Sequence, residues 1–143
     1  MRRPSREQTN MTIAHVIAER ATCGRAKVGC VITQNHRVVS SGYNGPLGGH
    51  HCDKLGCDLE HKCQYSVHAE ANAIAAAARE GIRLNKATLY CTFAPCKDCA
   101  RLIVQSGIKE VYYLKNYTTP NNEGLTLLIE NKVKIIQMEN IWD

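Results

Sequence analysis

The residue pattern most able to do chemistry joins His68 and Glu70 to Cys96 and Cys99, which follow Pro95. One imidazole and two thiols are ligand types that Zn²⁺ prefers. A structural zinc site is closed by four protein ligands, whereas a catalytic site keeps three and leaves the fourth position to water. We therefore predict a hydrolytic zinc site, in which Glu70 stays off the metal and moves protons.

Two helix starts are predicted to hold these ligands. The alanine-rich run that begins at His68 is made of strong helix formers, and Gly81 is predicted to end that helix. Pro95 favours a second helix start, whose first turn would place Cys96 and Cys99 on one face. Backbone N–H groups and the helix dipole at such a start lower thiolate pKa values, so they favour the metal-binding form of the cysteines.

Length, charge and hydropathy favour one soluble domain. The chain has 143 residues and a formal charge of +5, and none of its apolar runs approaches the roughly 18 residues of a membrane span. We expect residues 1–143 to form a single cytoplasmic domain, because no apolar segment of signal length follows the basic N-terminus. In a reducing cytoplasm, the eight cysteines favour metal binding over disulfide bonds.

The six other cysteines fall into two groups. Cys30 and Cys91 lie in apolar, strand-like runs, where a free cysteine behaves as a small buried hydrophobe. Cys23 precedes the first of these runs, and three more cysteines belong to a histidine-rich loop. This density of donors indicates a second, structural zinc site, with an ordered loop of free thiols as the alternative. The three loop cysteines are Cys52, Cys57 and Cys63.

The order of elements predicts an α/β fold with a mixed sheet. The first two strands should form an antiparallel hairpin, and the alternation of strands and helices in the second half implies parallel pairing. We therefore expect a three-layer α/β/α sandwich around a mixed five-stranded sheet. Residues 42–46 should break regular structure and open an insertion loop at about 45–67. The expected helices are 6–21, 68–80, 96–105 and 121–131, and the expected strands are 28–33, 38–43, 87–93, 110–114 and 133–138.

Taken together, these segments resemble the deoxycytidylate (dCMP) deaminases of the compact bacterial and phage type, within the wider cytidine-deaminase-like superfamily. The resemblance runs from about Cys23 to Leu114. It implies the cytidine-deaminase-like fold and hydrolysis of dCMP to dUMP and ammonia, which supplies dUMP for thymidylate synthesis in the cytoplasm, or in the host cytoplasm for a phage protein. The segments that carry it are His68-Ala-Glu-Ala-Asn-Ala-Ile, Thr92-Phe-Ala-Pro-Cys-Lys-Asp-Cys-Ala-Arg-Leu, Val28-Gly-Cys-Val-Ile and Ser41-Gly-Tyr-Asn-Gly.

The resemblance also assigns roles around the cytosine ring. It implies that zinc-activated water attacks C4, while Glu70 passes the water proton to N3 and then helps to protonate the leaving amine. Asn44 matches a residue that contacts the deoxyribose, and the backbone around Ala69 would hydrogen-bond the base. Arg79 matches a position tied to substrate selectivity, and an arginine there would suit a phosphate. The alternative is an ordinary cation at a helix end.

Regulation and assembly are further implications of the resemblance. Family members are commonly homo-hexamers that are activated by dCTP with Mg²⁺ and inhibited by dTTP. Gly42, Tyr43, Gly45 and Asn72 are candidates for such a nucleotide site. A Gly-Tyr-Asn-Gly segment is also typical of a turn whose glycines satisfy special backbone angles.

The same resemblance addresses the second zinc site. In some phage members, a non-catalytic zinc ties a cysteine before the first strand to the insertion loop, and Cys23 and Cys52 match that plan. We choose Cys57 and Cys63 as the other ligands. The loop offers further donors in His50, His51 and His61.

Two other functions fit parts of the pattern. A deaminase of cytidine, deoxycytidine or a base within nucleic acid would use the same zinc motif. An enzyme acting on nucleic acid should present a basic channel with aromatic side chains. The neighbours of Tyr112 and Tyr113 are mixed in charge and do not form a basic track: Lys109, Glu110 and Lys115. A non-enzymatic zinc module would need a closed four-ligand site and would not need Glu70. We therefore expect a nucleotide substrate and neither a nucleic-acid nor a membrane partner.

Overall fold

In the described part of the chain, a five-stranded sheet is covered by helices on both faces. The computed structural model describes residues 1–24, 26–48, 50, 65–116 and 122–139. The elements are α1 (Arg6–Ala18), β1 (Gly29–Gln34), β2 (Arg37–Tyr43), β3 (Gly45–Pro46), β4 (Ser66–Val67), α2 (Ala69–Arg79), β5 (Thr88–Phe93), α3 (Lys97–Ser106), β6 (Glu110–Lys115), α4 (Glu123–Glu130) and β7 (Lys134–Gln137).

The sheet has the mixed pairing that the sequence predicts. Its strand order is β2-β1-β5-β6-β7, with β1 antiparallel to β2 and β5, and with β5, β6 and β7 mutually parallel. The β1–β2 hairpin turns at Asn35 and His36, which have positive φ values of 52° and 66°. Two such residues match the backbone twist of a tight hairpin. The predicted hairpin and the parallel second half are therefore confirmed.

Three layers follow from the alternation of side chains along the strands. On one face, Met11 and Ala14 of α1 pack with Val31 and Tyr90. The opposite face carries α2, α3 and α4, and the side chain of Cys91 belongs to that core. The predicted three-layer sandwich is confirmed, and the central strand β5 points Cys91 toward the helices that begin at the predicted ligands.

The ends of two helices follow local rules. Helix α1 ends at Ala18 and not at the predicted Ala21, because the next three amide groups donate to carbonyls three residues back, at 3.0–3.1 Å. Such bonds tighten the chain into a 3₁₀-type turn. Helix α2 ends as predicted. Gly81 has a φ of 69°, and the amide N–H of Ile82 donates to the carbonyl of Ala77 at 2.9 Å.

The predicted break at residues 42–46 is wrong in part. Strand β2 ends at Tyr43 as expected, but regular structure resumes at Gly45, where β3 pairs antiparallel with β4, so the two ends of the insertion at 45–67 lie together. Gly42 is buried because α2 packs directly on it, and a Cβ there would lie 2.6 Å from the amide nitrogen of Ala73. Across the described residues, no helix combines the length and apolar character needed to cross a bilayer.

Candidate active site

The three predicted metal ligands lie at the starts of two helices. His68 is the N-cap of α2, Cys96 is the N-cap of α3, and Cys99 follows within the first turn of α3. The His68 Nδ1 atom is 3.3 Å from the Cys96 sulfur and 3.4 Å from the Cys99 sulfur. The structure therefore brings together one imidazole and two thiols that are distant in sequence.

This donor set fits Zn²⁺. Zinc bonds of about 2.0 Å to nitrogen and 2.3 Å to sulfur, at a tetrahedral angle, separate the two ligand atoms by roughly 3.5 Å. The observed nitrogen–sulfur distances agree with that value, and all three atoms lie within 4.8 Å of one another. Cys99 is buried, Cys96 is half-buried and His68 is exposed. A metal here would have protein on one side and an accessible position on the other.

Glu70 lies in the first turn of α2, two residues after His68, and only 3% of its surface is exposed. Burial penalises the carboxylate and raises the pKa of Glu70, an effect opposed by hydrogen bonds from its own amide and from the Cys91 thiol. Its side chain is also hydrogen-bonded to Cys99. A buried carboxyl group with a raised pKa beside a metal site is suited to accept and return a proton.

The two ligand cysteines share a hydrogen bond in the metal-free protein. The Cys99 thiol lowers the pKa of Cys96 to about 3, and His68 and the Cys99 amide act in the same direction. The same shared hydrogen bond, together with burial, raises the pKa of Cys99. The fold thus favours the thiolate form of Cys96 before metal binds, and a bound divalent cation would favour deprotonation of Cys99.

Two predicted nucleotide contacts have structural roles within the chain. The Asn44 side chain donates to the carbonyl of Ala26 at 2.8 Å and accepts from the amide of Val28 at 2.8 Å. The Asn72 side chain donates to the carbonyl of Tyr43 at 2.8 Å, which ties α2 to the end of β2. Gly45 is buried in the β3–β4 pair beside them. These contacts order the segment that borders the first turn of α2.

The remaining predicted site residues are spread more widely. Ala69 is the first residue of α2 and is buried, whereas Arg79 is exposed at the opposite end of the same helix. Eleven residues of helix separate His68 from Arg79 by about 16 Å, which is more than an arginine side chain can span. Cys23 is partly buried. Its three suggested partners, Cys52, Cys57 and Cys63, lie outside the described residues.

Sequence reasoning missed the role of Gly124. This glycine is buried inside α4 and does not interrupt the helix. A Cβ at this position would lie 2.8 Å from the carbonyl carbon and 2.9 Å from the carbonyl oxygen of Cys96. Lys97 and Glu123 form an ion pair at 3.6 Å beside this contact. A glycine within a helical pattern often marks a close backbone approach, and here it lets α4 support the turn that carries Cys96.

Comparisons with known proteins agree with this geometry. Residues 4–115 match the profile of the family described as the cytidine and deoxycytidylate deaminase zinc-binding region. ComE operon protein 2 of Bacillus subtilis is 40% identical over 121 residues, which cover 83% of this chain but only 64% of that relative. The deoxycytidylate deaminase of Enterobacteria phage T2 is 34% identical over 163 residues, with 86% of each protein covered.

A solved structure gives the same result. The dCMP deaminase of cyanophage S-TIM5, crystallised in complex with dCMP and dUMP, superposes with a TM-score of 0.85 at 29% identity. The superposition covers 96% of this chain and all of that one. With the family profile matched across the ligands and the fold shared along the chain, this protein belongs to the cytidine and deoxycytidylate deaminase family.

Proposed function

We propose that this protein is a zinc-dependent hydrolase that deaminates dCMP to dUMP and ammonia, and so supplies dUMP for thymidylate synthesis. One observation carries the reaction type: three metal ligands converge beside a buried carboxyl group, Glu70, that is free of the ligand set. The choice of dCMP is supported by the phage relatives, which are named as deaminases of that nucleotide. The site geometry thus supports the reaction type, and the relatives support the choice of a nucleotide as its substrate.

The chemistry divides between the metal and the chain. Zinc held by His68, Cys96 and Cys99 would supply a Lewis acid that acidifies a water in its open position. Glu70 takes a proton from that water and delivers it to N3 of cytosine. The water oxygen forms a bond to C4, the bond from C4 to the exocyclic nitrogen breaks, and Glu70 assists proton transfer to the departing amine, which leaves as ammonia.

Substrate contacts are part of the same proposal. The backbone at Ala69 binds the base, since helix-start amides are available as donors beside Glu70. Asn44 contacts the deoxyribose, for which its amide group has one further N–H besides the bond to Ala26. Arg79, which is exposed at the end of α2 opposite the ligands, would contact the phosphate.

Assembly and regulation complete the proposal. We infer a single-domain, cytoplasmic homo-hexamer that dCTP with Mg²⁺ activates and dTTP inhibits, with the nucleotide contacting Gly42, Tyr43, Gly45 and Asn72. The guanidinium of Arg20 lies 5.7 Å from the centre of the Tyr43 ring, which places positive charge beside that segment. A second zinc bound by Cys23, Cys52, Cys57 and Cys63 would order the insertion at 45–67.

The test is deamination of four substrates by zinc-loaded protein, followed by ultraviolet absorbance. The substrates are dCMP, deoxycytidine, CMP and a cytosine-containing single strand, each with and without dCTP and Mg²⁺. We expect turnover of dCMP well above that of deoxycytidine. Turnover of the single strand alone, or of none of the four, would overturn the assignment to dCMP.

Glu70→Gln tests the proton transfer. We expect kcat to fall about 10²–10⁴-fold, because general acid–base catalysis contributes on that scale, while zinc content stays at the wild-type level. Glu80→Gln is the matched control, since Glu80 is an exposed residue that caps the far end of the same helix. Unchanged turnover by the Glu70 variant would remove this carboxyl group from the mechanism.

A further inference from the structure

A lysine and a phenylalanine form a pair at the carboxyl edge of the sheet, and the mechanism uses neither. Phe93 ends β5 and Lys115 ends β6, and the two residues are partners in the parallel ladder. The Lys115 ammonium lies 5.7 Å from the centre of the Phe93 ring, which is within the range of a cation–π contact. Phe93 is half-buried and Lys115 is exposed, so the positive charge lies at the surface.

This pair lies on the same side of the sheet as the metal ligands. Side chains two residues apart on a strand share a face. Cys91 belongs to the core that faces α2, α3 and α4, so Phe93 points toward the same helices. Tyr113 belongs to that core as well, so Lys115 does the same. The pair therefore shares a face with the two helices whose starts carry the ligands.

The pair is also tied to the turn that carries Cys96. The amide N–H of Ala94 donates to the carbonyl of Lys115 at 2.8 Å. Two residues of chain, which span at most about 7 Å, separate Ala94 from Cys96. In contrast, the length of α2 places Arg79 about 16 Å from His68. Lys115 is therefore a cation held close to the ligand turn.

The charge of Lys115 is available to an anion. Lys97, at the start of α3, pairs with Glu123 at 3.6 Å, whereas Lys115 forms no ion pair within the part of the chain that the structure describes. Ligands of open α/β sheets bind beyond the carboxyl ends of the strands. When the cytosine ring lies at the metal, the phosphate at the other end of the nucleotide must point out of the pocket, toward the exposed edge that carries this ammonium.

We propose that Lys115 binds the phosphate of the substrate and is a specificity-determining residue for a nucleoside monophosphate over a nucleoside. The Phe93 ring holds the ammonium at the carboxyl edge, where it donates to a phosphate oxygen. An ammonium suits this task as a compact point charge with three donors. The inference rests on the proposed dCMP reaction and adds to it a phosphate contact nearer to the metal ligands than Arg79.

The kinetic test compares Lys115→Gln, Lys115→Arg and Lys109→Gln. The measured quantity is the ratio of kcat/KM for dCMP to kcat/KM for deoxycytidine, which lacks the phosphate. We expect the ratio to fall about 10-fold in Lys115→Gln, through a higher KM for dCMP, because a charge-assisted hydrogen bond is lost. Lys115→Arg keeps the charge and should recover most of the ratio. Lys109 is the matched control, an exposed lysine directly before the opposite end of β6, and its variant should keep the wild-type ratio.

Two kinetic outcomes overturn the proposal. The first is a wild-type ratio in Lys115→Gln, and a reduced ratio in Arg79→Gln would then assign phosphate recognition to the far end of α2. The second is an equal loss of kcat/KM for dCMP and deoxycytidine in Lys115→Gln. That result would mean that Lys115 supports the shape of the site and does not recognise the phosphate.

A binding measurement keeps the proposal testable if dCMP is not the substrate. Calorimetry of the zinc-loaded protein gives the affinities for dUMP and for deoxyuridine. We expect the wild type to bind dUMP about 10-fold more tightly than deoxyuridine, and Lys115→Gln to lose most of that difference. Equal affinities in the wild type, or an undiminished difference in the variant, overturn the proposal. A diminished difference in a protein that does not deaminate dCMP supports the phosphate contact and rejects only the proposed reaction.

Discussion

The protein carries two pairs of cysteines, one at a helix start and one in the central sheet, whose thiols differ in chemistry. Cys96 and Cys99 lie at the start of α3, beside His68, where backbone amides and a neighbouring imidazole surround sulfur. Cys30 and Cys91 face each other across two central strands, with no exposed surface. Burial raises the pKa values of both strand cysteines, whereas hydrogen bonds lower the pKa of Cys96. Local structure therefore decides which thiols bind metal.

The largest difference between the two cysteine pairs should be in how much zinc the protein loses when a member of each pair is replaced. Cys96→Ala and Cys99→Ala leave two ligands at the catalytic site, so we expect each variant to bind about one zinc per chain fewer than the wild type, with deamination below detection. Cys91→Val should keep its zinc. The measurement is metal analysis after gel filtration. Equal zinc loss in the strand and helix-start variants would contradict the division into ligand and core cysteines.

The alkylation rates of the thiols in the metal-free protein should also distinguish the helix-start cysteines from the strand cysteines. Because the pKa of Cys96 is about 3, its thiolate predominates above that pH, so its alkylation rate should be nearly constant between about pH 5 and 8. An ordinary thiol with a pKa of about 8.5 reacts roughly 10-fold faster per pH unit in that range. Cys91, which is buried and has a raised pKa, should react slowly throughout. Mass-spectrometric mapping distinguishes these sites, and a 10-fold rise per unit at Cys96 would refute its ionised state.

Much of the fold could be predicted from the sequence because its signals are local. Alternating apolar strands, a tight turn at Asn35 and His36, and the cap at Gly81 depend on residues close in the chain. The place of β1 between β2 and β5 depends on contacts between distant segments. The break expected at residues 42–46 was wrong in part for a similar reason. Pairing between Gly45–Pro46 and Ser66–Val67 joins segments that are distant in the chain and overrides the turn preference of glycine and proline.

The candidate site also combines local features with long-range ones. His68, Cys96 and Cys99 could be predicted as ligands because their spacing in the sequence places them at the starts of two helices. The pairing of Cys30 with Cys91 could not, because the register of β1 against β5 determines it and the sequence around each matches an ordinary core residue. The separation of Arg79 from the ligands follows from helix length once the helix bounds are known.

Gly124→Ala should perturb the helix-start pair without touching the strand pair. A Cβ at residue 124 would press on the carbonyl group of Cys96, and backbone atoms cannot yield as a flexible side chain can. We expect about 10–100-fold weaker zinc binding, as for other changes behind metal ligands, and an altered Co²⁺ absorption spectrum.

Gly29→Ala is the matched control for this experiment. Its Cβ would meet backbone atoms of Ala14 and Ala18 in α1, on the other side of the sheet. It should lower the free energy of unfolding but leave the Co²⁺ spectrum unchanged. Identical spectra for wild type and Gly124→Ala would show that α4 does not set the position of Cys96.

The smallest effect is expected at Cys30, the member of the strand pair that lies on β1. It is buried among apolar side chains, so Cys30→Val keeps the hydrophobic character and approximate volume of the site. Such replacements usually change the free energy of unfolding by less than about 1.5 kcal/mol. Urea unfolding of the zinc-loaded protein measures this change. A loss well above that limit would mean that the thiol of Cys30 stabilises the fold beyond its hydrophobic volume. The strand cysteines could then not be described as ordinary core residues in contrast to the metal ligands.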